Sequence, residues 1–153
     1  MPVTVSFRKD DVIYREDSFE MAMFRIVSGS VAVYAWYGQE TETMLVEQGV
    51  GEYFGHLDLI EAIPRSATII AKEDVVLEKI EGDEFGAYLS DHPDESMVIL
   101  RQMSARLRDI GEKLHEVYHT IDEYIAEDSK PHDESFMARL ARIIRLGKGA
   151  KGL

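Results

Sequence analysis

The chain contains no cysteine, which removes disulfides, thiolate metal sites and cysteine nucleophiles together. Basic residues are scarce: 17 Lys and Arg stand against 29 Asp and Glu, a net charge of −12. Nucleic-acid binding draws on clustered cations that release counterions, so no nucleic-acid partner is expected. No apolar run is long enough to span a bilayer, and no charged-then-apolar leader opens the sequence. The expectation is therefore a cytoplasmic protein without a membrane anchor. A P-loop and a Gly-x-Ser-x-Gly elbow are also missing, so the chain reads as a non-enzyme.

What is present falls into three parts: residues 1–92, 93–127 and 128–153. The first part holds short runs rich in β-branched and aromatic residues. They are Val3-Phe7, Val12-Tyr14, Phe24-Val27, Val31-Tyr37, Thr43-Val46, Thr68-Ala71 and Val75-Ile80. Ser28-Gly29-Ser30 and Tyr37-Gly38-Gln39 read as turns within one meander. The fold class predicted is mainly β with α: an antiparallel β-roll of jelly-roll type, then helices. A short helix is expected at Glu84-Leu89, and a long one from Pro93.

Between two of the strands, residues 49–71 read GVGEYFGHLDLIEAIPRSATIIA. Gly49, Gly51 and Gly55 let the backbone turn without Cβ atoms in the way. A short helix opening at about His56 presents free N–H groups that favour a phosphate. Arg65, on the loop begun by Pro64, carries a fork of donors suited to the same anion.

The order of these residues resembles the phosphate-binding cassette of the cyclic nucleotide-binding domain, as in bacterial Crp/Fnr-type regulators. That cassette reads F-G-E-L/M-A/G-L-L, then P-R-S/T-A-T. Here it stands as Phe54-Gly55-His56-Leu57-Asp58-Leu59-Ile60, then Pro64-Arg65-Ser66-Ala67-Thr68. Val12-Ile13-Tyr14-Arg15-Glu16 and Ile26-Val27-Ser28-Gly29-Ser30-Val31 resemble the family's opening strands. Asp17-Ser18-Phe19-Glu20 replaces its usual G-D-x-G turn.

The resemblance implies a ligand site at Gly55, His56, Leu57, Asp58, Arg65, Ser66 and Ala67. It also implies a base contact from the long helix, at the positions of Ile110 and Gly111. His56 stands where the family has a glutamate that accepts the ribose hydroxyl. Asp58 stands where it prefers a small residue. Losing a buried charged hydrogen bond costs about 1.5–3 kcal/mol, or roughly ten- to hundredfold in affinity. No cofactor is assigned. The ligand expected is cAMP, cGMP or another phosphate-bearing small molecule, and the alternative for Arg65 is an internal pair with Asp58 or Glu52.

Along the long helix, Leu100, Met103, Leu107, Ile110, Leu114, Val117, Ile121 and Tyr124 follow steps of three and four. That seam calls for a partner helix, and a homodimer is expected. Such a helix forms the dimer axis in the Crp/Fnr group. His115-Glu116-Val117-Tyr118-His119 matches H-E-x-x-H, but no third ligand accompanies it, so no metal is assigned. After a polar linker, Glu134 to Leu146 reads as an amphipathic helix in a segment of net charge +3 from Pro131 onward. Docking on the acidic body, or binding another protein, are its expected uses, ahead of a membrane surface. One short helix leaves no room for a helix-turn-helix reader. Two functions stay open: a stand-alone ligand-sensing regulatory module, and a constitutive dimeric interaction module with a vestigial pocket.

Overall fold

The computed structural model describes residues 1–126 and Ala138; side chains from Tyr124 onward in the long helix are outside that description. Eight strands precede the long helix. They are Val3–Phe7 (β1), Val12–Tyr14 (β2), Ala22–Ser28 (β3), Val31–Ala35 (β4), Thr43–Gln48 (β5), Tyr53–Phe54 (β6), Thr68–Ala71 (β7) and Val75–Glu81 (β8). Three helices are His56–Glu61 (α1), Phe85–Asp91 (α2) and Pro93–Ala126 (α3). The strands form two four-stranded antiparallel sheets, ordered β1-β8-β3-β6 and β2-β7-β4-β5. The β-roll expected from the residue pattern is thus the fold observed.

Strand position explains strand composition. β7, Thr68-Ile69-Ile70-Ala71, lies between β2 and β4 and is buried throughout, so it reads as an unbroken apolar run. β1 is an edge strand and mostly exposed. Between the sheets, Tyr14, Phe24 and Phe54 join Ile26, Val31, Ile69, Val75 and Leu77 in one core. The Phe24 and Phe54 rings stack with centroids 5.1 Å apart. Side chains that alternate to the other face of β3 and β8, Met23 and Ile80, meet Tyr53, Leu59, Tyr88 and Ile99 in a second core. That second core fastens all three helices to the roll.

Two expectations are corrected. Ser28-Gly29-Ser30 does not turn the chain within one meander, because β3 and β4 lie in different sheets. It is a crossing between sheets; only the Tyr37-Gly38-Gln39 turn closes a hairpin, β4 with β5. The residues Tyr53–Phe54, placed in a glycine-framed turn by the sequence, form β6 and pair with Arg25 and Phe24 of β3. Two residues are too few for a periodicity to show.

The long helix also divides its faces differently from a single seam. Ile99 and Met103 pack into the second core, and Gln102 clamps the β6 backbone. Its side-chain oxygen accepts from Tyr53 N–H at 2.9 Å, and its amide donates to Tyr53 C=O at 2.6 Å. Tyr53 in turn donates its hydroxyl to Glu95 at 2.6 Å. Met103, placed in the seam by its spacing, is half-buried against the second core of its own roll. Leu100, Leu107, Ile110 and Leu114 are exposed on the chain, while Val117 and Ile121 are half-buried. The basic helix expected over Glu134 to Leu146 lies outside the described residues.

Candidate functional site

The cassette is built around one arginine. Gly55 adopts φ 78° and caps α1, and a Cβ there would sit 2.7 Å from Arg65 Nη1. Glycine is therefore required twice, by its dihedral and by the guanidinium against it. Arg65 itself is 1% exposed. Its Nη1 donates to Gly55 C=O at 3.0 Å and its Nη2 to Ala22 C=O at 2.7 Å. The guanidinium carbon stands 4.1 Å from the centre of the Tyr14 ring, a cation–π contact. Carboxylate oxygens of Asp58 and Glu20 each approach to 3.9 Å.

Neighbouring loops hold this geometry. Arg65 N–H donates to Ser18 C=O, and Asp17 N–H donates to Arg65 C=O. The altered turn after β2 thus clasps the arginine from both sides, with Asp17 at φ 65° where glycine would be easier. Ser66 donates its hydroxyl to Asp58 Oδ1 at 2.7 Å, which orients that carboxylate. Ala67 is buried behind it. Glu52 does not pair with Arg65; its carboxylate accepts from Gly49 N–H at 2.7 Å.

His56, the first residue of α1, is 1% exposed and neither ring nitrogen has a hydrogen-bond partner among the described residues. Burial pushes its pKa down from 6.5 to about 4, and the Arg106 cation pushes the same way. The imidazole is neutral at physiological pH. Arg106 comes from α3, is itself largely desolvated, and has a buried Nη2 without a partner. Burial lowers its pKa, opposed by Glu52 and Tyr14. Tyr14 lies at the centre of the group: burial raises its pKa first, and Arg65, Asp58, Glu20 and Arg106 all act on it.

The structure therefore joins Gly55, Asp58 and Ser66 to Arg65, sets Arg65 on Tyr14, and buries His56 and Ala67 in the same segment. Leu57 points outward at 40% exposure, Ile110 is exposed, and nothing lies within 4 Å of where a Gly111 Cβ would be. Sequence reasoning missed Tyr14, Glu20 and Arg106. Arg106 had a signal: it follows Gln102 by four and Met103 by three, the spacing of the helix face that meets the roll. Among the described residues, no three His, Asp or Glu side chains gather as metal ligands, and His115 and His119 are exposed. No helix among them is long and apolar enough to cross a membrane.

Chemically, the site sets unmet donors beside carboxylate acceptors. A guanidinium has five N–H groups, and Arg65 commits two to carbonyls while Nε has no partner. Arg106 Nη2 and one His56 nitrogen add further donors. Phosphate oxygens fit such a set; Asp58 and Glu20 oppose it.

Comparison with known proteins agrees with this arrangement. The model of the cyclic nucleotide-binding domain matches residues 4–92. A CRP-like cAMP-activated global transcriptional regulator of Mycobacterium tuberculosis is 23% identical over 116 residues, covering 76% of this chain and 52% of that protein. A cAMP-dependent protein kinase regulatory subunit of Dictyostelium discoideum is 32% identical over 89 residues, covering 58% of this chain and 27% of that one. The chain thus spans about half the length of the first relative and about a quarter of the second. In fold, the catabolite activator protein of Thermus thermophilus superimposes with a TM-score of 0.65 at 18% identity, over 95% of this chain and 76% of that one. With the roll, the cassette and a family match over more than half its length, this chain belongs to the cyclic nucleotide-binding domain family.

Proposed function

We propose that this chain is a non-enzymatic regulatory module that binds a cyclic nucleotide, or a related small phosphate-bearing ligand, between the cassette and α3. The observation that carries this reading is the set of buried polar atoms without partners: both His56 nitrogens, Arg65 Nε and Arg106 Nη2. Buried polar groups left unmade each cost about 1–3 kcal/mol, so a fold keeps such a cluster where something satisfies it. Both relatives named above are regulators whose names refer to cAMP. In this reading binding is relayed to a helical dimer region through Arg106, since a ligand that engages it pulls on α3 as well as on the roll.

One observation favours the alternative of a vestigial pocket. Arg65 is already held by two carbonyls and two flanking carboxylates, so a phosphate must compete with them. Calorimetry at pH 7.5 with cAMP and cGMP separates the two readings. We expect binding by the wild type, and His56→Glu to tighten it roughly ten- to hundredfold by restoring the ribose hydroxyl contact. Absence of binding by both proteins to both nucleotides favours the alternative.

The relay requires a second copy. The exposed Leu100, Leu107, Ile110 and Leu114 recur at heptad-like steps on α3 and supply an apolar face for a parallel partner helix. Light scattering is expected to give a dimeric mass for the wild type. The Leu107→Glu, Leu114→Glu double variant, which touches no core residue, should give the mass of one chain.

A further inference from the structure

His56 is an unusual residue to bury. A neutral imidazole carries one donor and one acceptor, and here both are removed from water without a partner among the described residues. The charged groups of the candidate site come from several elements. Asp58 lies on the same helix, Arg65 on the following loop and Glu20 on the turn after β2. Tyr14 belongs to β2, Glu52 precedes β6, and Arg106 projects from α3. Three carboxylates therefore face two guanidiniums. Of these cations, Arg106 is the one that acts on the imidazole.

We propose that His56 is the specificity-determining contact of this pocket, and that an anionic ligand binds there together with one proton, taken from solvent onto the free imidazole nitrogen. This rests on the reading that the pocket binds a phosphate-bearing ligand. The reason is electrostatic. In the free protein burial, and after it the Arg106 cation, hold the imidazole neutral. A ligand that sets a fixed negative charge against the ring offsets the arginine and pairs with the imidazolium, opposing the cost of burying that charge. Both nitrogens then donate, and the buried acceptor without a partner disappears. An imidazolium reads oxygens that accept: phosphate, carboxylate or base carbonyl. It does not accept a ribose hydroxyl, so the pocket takes a ligand for its anionic group with little regard for the 2′-hydroxyl.

The linkage has a defined sign. The free histidine titrates near pH 4. Between that value and the higher pKa in the complex, affinity strengthens on acidification, approaching tenfold per pH unit. The experiment is calorimetric titration of the full chain with cGMP at pH 5.5, 6.5 and 7.5. Each pH is run in two buffers of different ionisation heat. The cGMP phosphodiester carries one fixed charge across this range, so any proton taken up belongs to the protein.

We expect a buffer-dependent heat approaching one proton per site at pH 5.5 to 6.5. Affinity should rise on acidification, and 2′-deoxy-cGMP should bind within about threefold of cGMP. His56→Gln keeps a donor and an acceptor without titrating, and should flatten the pH profile. Binding with buffer-independent heat in the wild type overturns the proposal without any variant. A pH profile that persists in His56→Gln also overturns it, assigning the proton to another group. Absence of binding at every pH overturns the sensing reading itself, and this inference with it.

Discussion

Arg65→Ala is expected to destabilise the folded chain by about 3–5 kcal/mol, the range for removing one partner from a buried charged cluster. The loss is large because the guanidinium side chain has no exposed surface and its carbonyl and Asp58 contacts are shielded from solvent, Glu20 alone being partly open. Its removal takes a donor from Ala22 C=O and from Gly55 C=O, and a cation from the face of Tyr14. It also leaves Asp58 and Glu20 facing each other's charge across a cavity. Arg65→Lys recovers only part of this, since a point charge cannot reach two carbonyls and lie flat on a ring. Urea unfolding followed by circular dichroism measures the difference directly. A loss below about 1 kcal/mol would show that the arginine does not brace the roll and is held in reserve for a ligand.

The strength of that brace bears on how the site works. Arg65 ties the loop after α1 to the β3 backbone and, through Ser18 and Asp17, to the turn after β2. In the proposed binding mode a phosphate meets a rigid cation and competes with two carboxylates. Ligand affinity then depends on how far Asp58 and Glu20 yield. Glu20 has another partner ready, because its second oxygen already receives Lys79 Nζ at 3.0 Å. Asp58 is held in place by Ser66. The proposed site is thus neither an open anion cradle nor a closed one.

The roll was legible because its strands alternate or run apolar in lengths that only a two-sheet packing buries. The cassette was legible because Gly55, Arg65, Ser66 and Ala67 stand in a fixed order. Residues brought to the site by topology were not. Tyr14 looks like any strand aromatic, and Glu20 like any charge in a turn, until β2 and the cassette loop are placed side by side. Arg106 was hidden by the seam beside it. A helix with apolar residues at steps of three and four reads as one stripe, whereas this one packs Ile99 and Met103 on the roll and leaves Leu107 and Leu114 exposed on the single chain. Periodicity locates a face but does not say which of two neighbours covers it.

The burial of His56 gives the free protein a second measurable property, a loss of stability in acid. The folded-state pKa is about 4 against 6.5 for a solvated histidine. The unfolded chain therefore binds the extra proton between these values, and stability falls as pH falls through that window. Above pH 6.5 the contribution is constant; by pH 5 about 2 kcal/mol is lost, and by pH 4 about 3 kcal/mol. Urea midpoints at pH 7, 5.5 and 4.5 should fall more steeply for the wild type than for His56→Gln, with unchanged transition slopes. Parallel profiles for the two proteins would mean that the imidazole is hydrated in solution. His56 would then have no reason to change its protonation on meeting an anion.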